Sequence, residues 1–173
     1  MKKVLAIVIM LFAVISCVRK QNVTTEEKTP TTQLEQFVDS MKNVYPNYKG
    51  NIAINKKIGE AFASNLTTIP GILEDESFHI VGISEIVGKY NIMLALEHSG
   101  METSLSVWCE DFGEEKAATL DNTKLYRLTG GIVETITPKM GIAGPYINLG
   151  DVYVKDLTVE EIPGSHYESP TGL

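Results

Sequence analysis

Few side chains in this 173-residue chain combine type and spacing in a way that does chemistry. His79, His98 and His166 fall on a β-rich run, a turn and a polar tail, with neither ligand spacing nor a neighbouring carboxylate pattern. Metal binding and acid/base catalysis are therefore not expected of them. Cys109 shares the apolar side of its run with Leu105 and Val107, which implies a buried, inert thiol, since a reactive thiolate needs a polar or electropositive setting. Glu74-Asp75-Glu76 lacks the alternating oxygen ligands of a calcium loop, and Gly141 and Gly144 are followed by no basic residue and helix start that would cradle a phosphate. No nucleophile and base can be assembled from these residues, so the expectation is a protein without catalytic residues, metal or cofactor.

The other cysteine, Cys17, closes the tetrad Val14-Ile15-Ser16-Cys17. Lys2 and Lys3 precede it as a basic start, and Val4 to Ile15 form an apolar run of secretory length, too short to span a bilayer as a helix. This tetrad resembles the lipobox of bacterial lipoproteins. The resemblance implies cleavage before Cys17, a diacylglyceryl group on its sulfur and an acyl chain such as palmitate on its amine. Two or three chains, at about 0.8 kcal/mol per buried CH2, anchor a protein stably where one would be marginal. Val18 stands where an aspartate holds many lipoproteins at the inner membrane, which points to the outer membrane. The alternative is an ordinary secreted protein cut near Ser16.

Removing residues 1–16 leaves 157 residues, a single-domain length with enough chain for one core. The leader takes two of the 15 basic residues and none of the 22 acidic ones, so residues 17–173 carry −9. Nucleic acid is disfavoured as a partner, because phosphate binding is driven mainly by Lys and Arg displacing counterions. With Cys17 lipidated, Cys109 has no disulfide partner within the chain. Residues 17–31 are polar and aperiodic and read as a tether, residues 32–162 as the folded part, and residues 163–173 as a loose tail.

The elements that must position any site follow from periodicity. Thr32 and Glu35 form a capping-box pair ahead of Leu34, Phe37, Val38, Met41, Val44 and Tyr45, and Pro46 stops that helix. Ile54, Ile58, Ala61, Phe62 and Leu66 predict a second helix. Such apolar stripes cover either the protein's own core or a partner. From Phe78 onward the period becomes that of strands: Phe78 to Val87, Tyr90 to Glu97, and Ser104 to Glu110, with Trp108 on the face opposite Leu105, Val107 and Cys109. Asp111 is expected to cap a short helix, and Leu125 to Ile136 and Tyr146 to Leu157 to be the last two strands.

Helices, three strands, a short helix and two strands predict a mainly β protein: a five-stranded Greek-key barrel of the oligonucleotide/oligosaccharide-binding (OB) type over about 78–157, preceded by two amphipathic helices. Three stretches carry a closer likeness, namely Val107-Trp108-Cys109-Glu110-Asp111-Phe112, Leu128-Thr129-Gly130-Gly131-Ile132-Val133 and Tyr146-Ile147-Asn148-Leu149. Together they resemble the tRNA-anti-like family of bacterial barrels, often found on lipoproteins, for which no catalytic residues are implied. Ligands of OB barrels meet the second and third strands and the loops joining strands one to two and four to five. The resemblance thus implies Lys89, Tyr90, Trp108, Lys139, Met140 and Tyr146 as contacts. Trp108 is either an open contact surface for a protein or glycan, or the centre of a second small core beneath a helix. The functional expectation is a non-enzymatic envelope lipoprotein that binds such a partner; the alternative is a structural lipoprotein that self-assembles through its helices.

Overall fold

A computed structural model describes residues 32–97, 102–138 and 146–168; the leader, Cys17 and the tether lie outside them. Helix α1 (Gln33–Val44) starts as its sequence dictates: Thr32 Oγ1 accepts from the Glu35 amide at 3.1 Å and the Glu35 carboxylate accepts from the Thr32 amide at 3.2 Å. Helix α2 (Ile52–Asn65) is capped by Asn51, whose side chain accepts from the Ile54 amide. Their stripes, Leu34 and Val38 from α1 and Ile58 and Phe62 from α2, are buried in one core with the strands. Among the described residues no helix is long and apolar enough to cross a membrane.

Seven strands follow: β1 (Phe78–Ile86), β2 (Lys89–Leu96), β3 (Thr103–Phe112), β4 (Leu125–Thr129), β5 (Ile132–Thr137), β6 (Ile147–Lys155) and β7 (Thr158–Glu161). A single-turn helix α3 (Glu114–Ala117) lies between β3 and β4. The strands form one sheet in the order β5-β6-β3-β2-β1-β4-β7, antiparallel except for β3 and β6. This order forces the sheet to curl. β4 and β5 are joined by Gly130-Gly131 alone, yet five inter-strand spacings, roughly 24 Å, would separate them in a flat sheet. The three peptide steps from Thr129 to Ile132 reach at most about 11 Å. The two regions of the sheet are therefore neighbours, and the architecture is barrel-like, lined by Ile92, Leu94, Leu105, Val107, Val152 and Val154.

The strand count differs from the five expected. Leu125 to Ile136 is broken at Gly130, whose φ of +66° ends β4 and turns the chain so that β5 pairs with β6 instead of β1. Tyr146 to Leu157 is likewise shorter, because Asp156 takes φ +53° and starts the added strand β7 against β4. Asp111 does not cap α3. It lies within β3 at φ +58°, beside a register shift, where its carboxylate meets Lys89, and Gly113 occupies the cap position.

The helices are pinned where β1, β3 and β6 begin. The buried Asn55 of α2 accepts from the Asn148 amide at 3.1 Å and donates to the carbonyls of Tyr48 and Asn51. Tyr48 donates to Glu102 at 2.5 Å and Lys49 donates to the other oxygen at 2.9 Å, and these two bonds, Tyr48's first, hold the Glu102 carboxyl below its usual range. At Gly150 a Cβ would stand 2.5 Å from the Thr137 carbonyl oxygen, so only glycine lets β5 leave β6 so closely.

Candidate functional site

Trp108 stands on the outer face of β3, as the alternation with buried Leu105, Val107 and Cys109 requires. Its neighbours across the sheet are Met93 on β2 and Tyr153 on β6. The Trp108 and Tyr153 rings stack, with centroids 6.1 Å apart and planes 14° from parallel. Trp108 is half-buried and does not belong to the cluster in which the helices bury their stripes. The buried stripe residues of α1 and α2 pack into the barrel core. Its indole Nε1 is buried and makes no hydrogen bond among the described residues.

The other expected contacts do not gather around it. Lys89 begins β2 and its ammonium meets Asp111 at 2.6 Å. Tyr90 faces inward opposite Phe112 and packs against the core, and the nearby carboxylates of Glu114 and then Glu85 raise its phenol's pKa. Tyr146 is exposed just ahead of β6, whose first residue pairs with Thr103. Thr103 lies five residues from Trp108, about 17 Å along the strand. Lys139 and Met140 lie outside the described residues. One group therefore forms at the outer face, Trp108 with Met93 and Tyr153, and another at the β1–β2 hairpin, Lys89 and Tyr90. Tyr153 and Met93 were missed because only the register of β6 and β2 against β3 brings them there.

Beside α3, the ends of β3 and β6 enclose a cleft of about 560 Å³ whose lining includes Glu110, Asp111, Glu114, Glu115, Lys155 and Asp156. Two of its charged side chains are paired with residues outside the lining, Lys155 with Glu134 and Asp111 with Lys89. Cys109 is 2% exposed at the back of this cleft and points its thiol to the Glu110 carbonyl, and burial pushes that thiol's pKa up, away from a thiolate. His79 lies 3.3 Å from Glu97 and stacks on Tyr167 at 4.0 Å, and His166 lies 3.6 Å from Glu168. Among the described residues no three His, Cys, Asp or Glu side chains converge to hold a metal ion. What the outer face offers is flat, half-exposed aromatic area, a surface for contact.

Comparison of the chain with protein-family models, curated proteins and solved structures finds no match.

Proposed function

We propose that this protein is a non-enzymatic lipoprotein of the bacterial envelope, held by lipid on Cys17 and favouring the outer membrane, whose barrel binds a protein or glycan on the Trp108 face. The barrel reading is of the OB type. Its support is that β3 pairs in parallel with β6 and that β4 and β5 are one chain segment, broken at glycine, that bridges β1 to β6. The observation that carries the binding reading is the half-exposed Trp108–Tyr153 stack on a face outside the cluster in which α1 and α2 bury their stripes. Stacked aromatics supply rigid, amphipathic contact area at low entropic cost. The net charge of −9 on residues 17–173 speaks against nucleic acid. Self-assembly through the helices has less to stand on, because their apolar stripes are spent on the core.

Crosslinked capture from intact cells tests both halves. The wild-type chain is expected in the membrane fraction, labelled by palmitate, with a reproducible crosslinked partner. Cys17→Ala should lose label and membrane; Trp108→Ala should keep both, still unfold cooperatively at a somewhat lower Tm, and lose the partner. Undiminished capture by Trp108→Ala overturns the face, and palmitate label on Cys17→Ala overturns the anchor.

A further inference from the structure

A second surface, independent of the Trp108 face, lies on the far side of β1. β1 pairs with β4 only at Phe78 and His79. Beyond that pair the chain leading into β4 swings away, and the gap is a groove of about 620 Å³ between Ile80–Ile83 and Ala118–Asn122. From Val81 to Ile86, β1 is bonded to β2 on one side and takes no strand on the other among the described residues. The backbone donors and acceptors of that edge therefore face the groove and solvent.

Sheet edges of this kind are ordinarily guarded by lysine, proline or a covering segment. Here, among the described residues, the edge is guarded by a bulge at Val81 and the single charge of Glu85, and the run Val-Gly-Ile-Ser-Glu-Ile contains neither lysine nor proline. Val81 is 51% exposed and Ile83 42% exposed, although Ile83 shares its face with the fully buried Ile92. Ile83 is thus an inward-facing side chain left partly open, and with Ile80 and Leu120 it gives the groove an apolar floor. The charge is net acidic: among the described residues no lysine or arginine lines the groove, Asp121 stands on its wall with one oxygen accepting from Thr123, the neighbouring Lys124 is paired with Glu161, and Glu85 lies further along β1.

We propose that this groove is a docking site for an extended peptide segment with basic residues, which adds to the free edge of β1 as a further strand. Main-chain bonds to β1 supply affinity, alternate side chains reach the apolar floor, and the peptide's cations meet Asp121 and Glu85. A second copy of the chain fits less well. Pairing β1 with its own copy would bring the 118–122 wall of each molecule, with its Asp121, against the other's.

Amide hydrogen exchange on the full-length chain tests this with three capped octapeptides. One alternates valine and threonine between terminal lysines, one carries aspartates at the ends, and one keeps the lysines but has N-methylated valines. The lysine peptide is expected to slow exchange at outward-facing amides of Val81–Ile86 at least tenfold; the other two should give no protection, and raising salt should weaken the effect. Ile83→Arg, at an exposed position, should lose the protection with an unchanged melt, whereas Trp108→Ala should retain it. Equal protection by the aspartate or N-methylated peptide overturns the proposal, as does protection that falls elsewhere. Protection of Val81–Ile86 without peptide that grows with protein concentration overturns it in favour of a second copy.

Discussion

Where β1, β3 and β6 begin, the sheet is covered and pinned: two helices bury their stripes against it, Asn55 bonds to the β6 backbone, and Tyr48 and Lys49 share one carboxylate. Where β1 turns into β2 the opposite holds. Ile83, Ile86 and Val87 are exposed at 42%, 60% and 95%. Both regions are built from the same sheet, so the contrast does not come from the strands. It comes from what the chain spends on covering them, and it places stability at one end and contact surface at the other.

The largest break in that contrast is expected from Asn55→Ala. It strips the Asn148 amide of its acceptor and the Tyr48 carbonyl of a donor at a buried site, a loss of about 2–3 kcal/mol in urea unfolding. Lys89→Ala, which removes an exposed ion pair at the hairpin, should leave the unfolding midpoint unchanged. Equal effects of the two would mean that the helices are not what holds the closed end.

This division was only partly legible in the sequence. The capping box at Thr32 and Glu35 and the apolar sides of β2 and β3 were readable, because each depends on residues a few positions apart. Trp108 could be assigned to the outer face for the same reason. Its partner Tyr153 could not, since the parallel register of β3 and β6 joins segments some 45 residues apart and no local pattern encodes it. The split at Gly130-Gly131 was hidden by the apolar Leu128 and Ile132-Val133 on either side, which read as one strand. Asn55 gave no signal at all: one polar residue on a helix looks solvated until the strand it bonds to is known.

Glu76 sharpens the comparison from the closed side. It is 6% exposed, accepts a 2.5 Å bond from the Thr32 hydroxyl at the start of α1, and has its pKa raised, chiefly by burial. The folded chain therefore holds this proton more tightly than the unfolded chain does. The stability that follows is fully present below the unfolded carboxyl range, near pH 4, and is lost as pH rises through the folded value. At pH 7 the buried charge is a cost. Glu76→Gln, which keeps a side-chain acceptor for Thr32, is expected to raise the Tm by about 2–4 °C at pH 7, with the gain vanishing below about pH 4. A gain that persists in acid would assign the effect to something other than the charge.

A smaller gain belongs to the tip of the open end. Val87 and Gly88 turn the hairpin with φ of +53° and +73°, a conformation that suits glycine at the second position and asparagine or glycine at the first. A β-branched side chain there crowds its own backbone, and at 95% exposure it recovers nothing by packing within the chain. Val87→Asn should therefore stabilise the isolated protein by about 0.5–1 kcal/mol, a Tm rise of about 1–3 °C. The same substitution should leave protection of Val81–Ile86 by the lysine octapeptide intact, because the turn lies beyond the groove floor of Ile80, Ile83 and Leu120. Destabilisation by Val87→Asn would mean that the valine is covered in solution, and the end described here as open would have to be redrawn as an interface.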